Sequence, residues 1–265
     1  MTDFHAQDLA DIHNHLCPGV DDGARTLDES LRHLRLLRAD GVTRLATSSH
    51  LQGWLAFEEN GIEERLRRLE GAWRELEQAC HGRDDVPALR FSQEILVPNP
   101  DVAEMVFAVD GVGLRGTSYA LIEFGFDPEG DLRDVVRVVR SAGRRPIVAH
   151  PERYRYRGGY MPPETIRGWR EAGALLQVND GSLLGDYGRE IRDLAWRLLA
   201  DGVVDLLGTD HHADNRQVSP RRVGELLARR GAAEQARLLL VENPNRVLDD
   251  ADTVSVPAWT AQAAA

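Results

Sequence analysis

Seven short apolar runs recur along the chain, and chemically capable residues stand at or beside their C-terminal ends. The runs are Leu9 to His13, Thr43 to His50, Ala88 to Glu94, Tyr119 to Phe124, Pro146 to His150, Leu175 to Asp180 and Val203 to Asp210. A continuous apolar stretch closed by a loop is how a strand buried on both faces in a parallel sheet reads. Helical segments lie between them. Thr26-Leu27-Asp28-Glu29 has the form of a capping box, followed by Leu31, Leu34 and Leu37, with Gly41 in the position that ends a helix. From Ile62 to Gln78, apolar residues at Ile62, Leu66, Leu69, Trp73 and Leu76 predict an amphipathic helix lying over the strands. Asp127-Pro128 is expected to open a helix that closes near Gly143, Ser219-Pro220 one that closes near Gly231, and Asn243-Pro244 a short last one. Seven strand–helix alternations favour one parallel α/β unit over a string of separate domains. Residues 1–257 are therefore expected to form a single domain, and 258–265 a frayed tail.

Composition narrows the partners. A formal net charge of −11 over 265 residues is poorly suited to the nucleic-acid polyanion. Two cysteines, Cys17 and Cys80, make no disulfide framework; Met1 to His5 lacks the pattern of a signal peptide, and no apolar run reaches the length of a membrane span. These features lead us to expect a cytoplasmic protein.

In parallel α/β barrels, sites are built on the rim formed by the C-terminal ends of the strands. The first run ends in Asp11-Ile12-His13-Asn14-His15, where the two-residue period of a strand sends both imidazoles to one side. His50, Glu94, Glu123, His150 and the Asp210-His211-His212 triplet close other runs. A lone strand-end histidine is commonly a satisfied hydrogen-bonding residue. A carboxylate within an apolar run is harder to explain without a cation, because burying it unpaired costs several kcal/mol, of order 3–5 when a partner is missing. Together with Asp22, the candidate ligands are His13, His15, Asp22, His50, Glu94, Glu123, His150, Asp210 and His212. Nine exceed the needs of one catalytic zinc and fit two or three divalent ions, with manganese, iron and zinc all compatible with mixed imidazole and carboxylate donors.

Such a cluster suits phosphoester hydrolysis, whose transition state gathers charge on phosphoryl oxygens that guanidinium groups can meet. Arg153 and Arg216 follow presumed ligands closely and are read as phosphate contacts; with Asp210 they are the candidate catalytic residues. Arg155 and Arg157 are as readily a solvated loop face. Cysteine catalysis is disfavoured, because cysteine-dependent phosphatases need an arginine six positions after the nucleophile, where this chain has Gly23 and Val86. Cys17 reads as a small loop residue.

Taken together, Asp11-Ile12-His13-Asn14-His15, Pro18 to Gly23, Ser49-His50, Gln93-Glu94-Ile95, Ala120 to Phe124, Ala149 to Tyr154, Gln177-Val178-Asn179, Thr209 to His212 and Asn243 to Arg246 resemble the polymerase and histidinol phosphatase (PHP) superfamily. More narrowly, the chain is similar to bacterial metal-dependent protein-tyrosine phosphatases of capsule and exopolysaccharide operons. The resemblance implies a distorted seven-stranded (β/α)7 barrel holding three ions, commonly manganese. It assigns His13, His15, Glu94 and Asp210 to one ion; Glu94, Glu123 and His150 to a second; and Asp22, His50 and His212 to a third. It implies direct attack on phosphorus by a metal-bridging hydroxide, with Arg153 and Arg216 holding the phosphoryl oxygens. The substrate would be a phosphotyrosine protein, an exopolysaccharide-associated tyrosine kinase with a tyrosine-rich tail, and some members form ring-shaped homo-oligomers. His211 stands where relatives often carry a small or apolar residue, leaving a spare ligand, a proton donor or a neutral substitution as its readings. Rival functions are a small-molecule phosphatase of the same superfamily acting on histidinol phosphate or a nucleotide, a metal-dependent amide hydrolase, and a noncatalytic binding module.

Overall fold

The computed structural model describes residues 8–129 and 132–259. All seven apolar runs contain strand. They give β1 (Leu9–Asp11), β2 (Val42–Thr47) with β3 (His50–Gln52), β4 (Ala88–Phe91) with β5 (Glu94–Leu96), β6 (Tyr119–Glu123), β7 (Arg145–Ala149), β10 (Leu175–Asn179) and β11 (Leu206–Gly208). A small hairpin of β8 (Arg155–Tyr156) and β9 (Gly159–Tyr160) is antiparallel, whereas the other pairings are parallel.

The hydrogen bonding does not run unbroken through a closed seven-stranded barrel. It forms a three-stranded sheet, β1-β2-β4, and a six-stranded one, β11-β10-β7-β6-β5-β3. Two of the runs break because Ser48-Ser49 and Ser92-Gln93 interrupt them. At the first break Ser48 leaves the ladder: its backbone N–H and hydroxyl both serve the carbonyl of Asn14, and its own carbonyl accepts from Glu94 N–H at 2.9 Å. The two sheets meet again where β1 passes β11, with Asp210 N–H donating to His13 O at 2.7 Å and His15 N–H to His211 O at 2.8 Å. Strand ends from both sheets therefore face one another across a small space.

The helices are α1 (Leu27–Ala39), α2 (Gly61–Cys80), α3 (Pro100–Phe107), α4 (Arg133–Ser141), α5 (Pro163–Glu171), α6 (Asp180–Leu184), α7 (Arg189–Ala200), α8 (Pro220–Arg229), α9 (Ala233–Arg237) and α10 (Asn243–Leu248). Thr26 caps α1 by accepting from Glu29 N–H, while the Glu29 carboxylate reaches back to Arg25 N–H, one residue before the usual capping-box partner. Each of the five apolar residues read from the α2 periodicity is buried. Helix α4 begins five residues after Pro128 rather than at it, and the stretch before it is tied to the hairpin by the Phe126 carbonyl, which accepts from Arg155 N–H at 2.7 Å. One of the residues expected to fray is anchored: Trp259 packs its ring against Trp196 and donates its backbone N–H to Ala200 O. Residues 260–265, like the Met1 to His5 segment, lie outside the described residues. Among the described residues no helix is long and apolar enough to cross a membrane.

Candidate metal centre

Just past β1, His13 and His15 point to one side, as the strand period requires, and both are fully buried. His13 Nδ1 lies 2.7 Å from Gln177 Oε1, and His15 Nδ1 lies 3.0 Å from Asp21 Oδ2. An acceptor at Nδ1 fixes a proton there and leaves Nε2 as the nitrogen a metal could take, the arrangement found in metal-ligating histidines. Neither Nε2 makes a hydrogen bond. Each stands 3.3 Å from a Glu94 oxygen and 3.5 Å from Asp210 Oδ1. Donors held about 2.1 Å from one tetrahedral ion stand roughly 3.4 Å from each other, so these four groups have the spacing of an ion's coordination shell. On that geometry the residues fit a divalent metal.

Two glycines make the approach of these elements feasible. A Cβ on Gly23 would lie 1.9 Å from His15 O, so the Asp21-Asp22-Gly23 turn can press against the His15 backbone only with glycine there. At Gly208 in β11, a Cβ would come within 3.0 Å of the Gln177 side chain and His13 Cβ, the pair whose hydrogen bond orients the His13 ring.

The remaining candidates surround these four. His50 Nδ1 is 3.2 Å from Glu94 and 3.6 Å from Glu123, while its Nε2 is 3.4 Å from Asp22. His212 Nε2 lies 3.3 Å from the same Asp22 oxygen, and His150 Nε2 lies 2.8 Å from Glu94. The ligand atoms fall into the groups His13, His15 and Glu94; His13, His150 and Asp210; His50, Glu94 and Glu123; and His15, Asp22, His50 and His212. All nine sequence candidates are thus brought together. The grouping differs in detail from that implied by the resemblance: His15 also faces the Asp22 set, and His150 also faces His13 and Asp210.

The electrostatics follow from burying this many charges in one place. Burial opposes a charged His15, yet Asp21 and Glu94 outweigh it and hold the ring up at about 9. Burial likewise opposes a charged His50, but Asp22 and Glu94 hold it up at about 11. Glu94 is pulled well below the carboxylate range, burial notwithstanding, by His13, His15 and His150. Glu123 is pushed upward by burial and by the charge of Glu94. A divalent ion would supply the positive charge that these imidazoles otherwise provide as protons. Backbone strain collects here as well, with His150 and Asp210 both held at positive φ, 32° and 48°.

Arg153 and Arg216 converge on a single atom, Asp210 Oδ2, at 2.6 and 2.5 Å. Asn179 also donates to that oxygen at 2.7 Å. The Tyr187 ring lies beside both guanidinium groups, 4.6 Å from the Arg153 carbon and 5.5 Å from that of Arg216. Arg155 and Arg157 instead lie against Tyr160 and Tyr156, in and beside the β8–β9 hairpin. Cys17 is buried, and burial pushes its thiol up to about 12.

Sequence reasoning gave no role to the supporting residues Asp21, Gln177, Asn179, Glu152, Phe126 and Tyr187, although the first four fall within motifs that carry the family resemblance. For Gln177 and Asn179 a signal existed: they are polar residues two apart in an otherwise apolar run, and so share a face. Glu152, fully buried, accepts from Asn179 N–H and the Ser182 hydroxyl, which ties the turn carrying His150 and Arg153 to the end of β10.

A parallel α/β fold whose strand ends gather imidazoles and carboxylates able to hold metal ions defines the general class of this protein. The particular family follows from comparison. The model of the capsular polysaccharide synthesis family CpsB/CapC matches residues 9–249, and the chain belongs to that family. It is 29% identical over 212 residues, 77% of each chain, to the putative tyrosine-protein phosphatase CapC of Staphylococcus aureus. It is 28% identical over 207 residues, again 77% of each, to the tyrosine-protein phosphatase YwqE of Bacillus subtilis. Among solved structures, it superposes with a TM-score of 0.73 and 23% identity on one from a study of YwqE from Bacillus subtilis and CpsB from Streptococcus pneumoniae, described as unique metal-dependent tyrosine phosphatases; the match covers 96% of this chain and 100% of that one. At that identity the superposition speaks for the fold.

Proposed function

We propose that this protein is a metal-dependent phosphatase that hydrolyses phosphotyrosine in proteins. The observation that carries the reading is the pair of buried, unpartnered Nε2 atoms of His13 and His15 facing Glu94 and Asp210, with two arginines drawn to the same aspartate. Membership of a family whose relatives bear the name tyrosine-protein phosphatase supports the choice of substrate. Two or three divalent ions, with manganese preferred over iron or zinc, would be held by His13, His15, Asp22, His50, Glu94, Glu123, His150, Asp210 and His212. Such ions would supply Lewis acidity and a water acidified enough to act near neutral pH. The chain's own contribution is placement. Gln177 and Asp21 fix the ring orientation of His13 and His15, Glu152 fixes the His150–Arg153 turn, and Asp210 gathers Arg153 and Arg216 where they can pass to the phosphoryl oxygens.

The reading extends to a single domain over 1–257, to sheets that together approximate a distorted seven-stranded barrel, and to an exopolysaccharide-associated tyrosine kinase as the substrate of a cytoplasmic, homo-oligomeric enzyme. The test is phosphate release by manganese-loaded protein from a phosphotyrosine peptide and from histidinol phosphate, each with a chelated control. Faster, chelator-sensitive turnover of the peptide is expected. Preference for histidinol phosphate would overturn the substrate assignment, and turnover indifferent to chelation would overturn the metal assignment.

A further inference from the structure

The stretch between β6 and α4 leaves Phe126 on the surface, 49% exposed. Of the exposed large apolar side chains among the described residues, it is the one whose ring meets the site. It lies nearly parallel to the His150 ring, 16° apart with centroids 6.0 Å from each other, and its centroid is 4.9 Å from the Arg153 guanidinium carbon. With the His150 ring nearly parallel to it and the Arg153 guanidinium over it, a residue that is still half exposed turns the part these two leave uncovered outward, next to Arg153. Its backbone carbonyl, bonded to Arg155 N–H, holds the residue in that place.

Support for Arg153 is not what this ring is needed for. The guanidinium is already held by Asp210 at 2.6 Å and by the Tyr187 ring at 4.6 Å. We propose that Phe126 is a specificity-determining residue, a wall against which the aryl group of an arylphosphate lies while Arg153 and Arg216 hold its phosphoryl oxygens. This rests on the phosphatase reading above and deepens it. Only one ester oxygen separates phosphorus from its substituent, so a group bound through Arg153 places that substituent within reach of whatever flanks Arg153. Aromatic rings stack or meet edge to face with centroids ~4.5–7 Å apart, and the gain exceeds that of burying apolar area alone. An alkyl substituent would gain the area but not the ring geometry. The site would therefore favour arylphosphates over alkylphosphates without a deep pocket.

The experiment compares binding of phenylphosphonate and propylphosphonate, which cannot be hydrolysed, to the manganese-loaded protein by calorimetry, for the wild type, Phe126→Ala and Phe126→Tyr. Phe126→Ala is expected to weaken phenylphosphonate about tenfold and propylphosphonate about twofold, with Phe126→Tyr restoring the preference. Equal weakening of both ligands would show that the ring only steadies His150 and Arg153, and would overturn the proposal. Wild-type binding of neither phosphonate would overturn the phosphate site and this wall together. Phosphotyrosine-peptide turnover, measured alongside, separates the two readings: a wild type that discriminates between the phosphonates but hydrolyses no phosphotyrosine retains the aryl wall and loses the assigned activity.

Discussion

His212 turns its ring into the carboxylate cluster, with Nε2 3.3 Å from Asp22, whereas His211, one residue earlier, turns away from it. His211 Nε2 meets His33 Nδ1 at 2.9 Å, and His33 Nε2 continues to Asp214 at 3.2 Å. Val218 N–H supplies the last ring nitrogen of that pair, 3.4 Å from His211 Nδ1. Around His13 and His15 the opposite holds: one nitrogen of each ring is bonded and the other, though buried, is not. Burial alone does not distinguish the two sets, since His33, His211, His13 and His15 are all nearly inaccessible. Saturation does. A histidine whose nitrogens are both engaged holds the fold together; one with a buried, open nitrogen facing carboxylates has a place for a cation. Of the readings open for His211, the structure favours neither ligand nor proton donor to substrate and gives it instead a structural bond between α1 and the loop that carries Asp210, His212 and Arg216.

The largest break in this comparison should come from Glu94, which faces His13, His15, His50 and His150 at once. Glu94→Gln is expected to remove bound metal and to cut phosphate release by roughly a thousandfold or more, read by metal content and by turnover of a phosphotyrosine peptide. Full activity with full metal content would dissolve the cluster.

Next in size is the contrast between neighbours. Loss of an outer ligand in His212→Asn should reduce metal affinity or activity by about 10- to 100-fold with little change in melting temperature. His211→Leu should do the reverse, costing about 1–3 kcal/mol of stability by leaving a His33 nitrogen unpaired, with metal content retained. If both substitutions act through metal loss, saturation is the wrong criterion.

A smaller effect concerns protons. His15 at about 9 and His50 at about 11 titrate above neutral pH, so both are protonated there, and a metal ligand must be neutral. Metal binding near pH 7 should therefore expel on the order of one to two protons, measurable by calorimetry in buffers of different ionisation enthalpy. Uptake of protons, or none exchanged, would contradict this electrostatic picture.

The smallest effect is expected at Cys17. With its thiol at about 12, roughly one molecule in ten thousand is thiolate near pH 8. Cys17→Ser should retain activity within about twofold, and alkylating reagents should leave the wild type active, as expected where no cysteine attacks phosphorus. Rapid loss of activity on alkylation of Cys17 would reopen cysteine chemistry.

Local patterns made much of this legible. Strand character follows from short apolar runs, and all seven contain strand; α1 and α2 follow from a cap and from a 3.6-residue period, which depend on residues a few positions apart. The same locality put His13 and His15 on one side and drew attention to carboxylates within apolar runs. Errors appear where distant contacts intervene. The run from Thr43 to His50 is broken where Ser48 serves Asn14, thirty-four positions away.

By itself, then, the sequence determined which residues were candidates and which segments would be strand, because both are properties of neighbours along the chain. Only the tertiary structure decided their company: Asp22 shared by His50 and His212, Asp210 shared by two arginines, Phe126 laid against His150, and His211 turned toward His33. Those relations depend on the register in which strands from remote parts of the chain meet. A change of one residue in that register would turn each side chain to the opposite face.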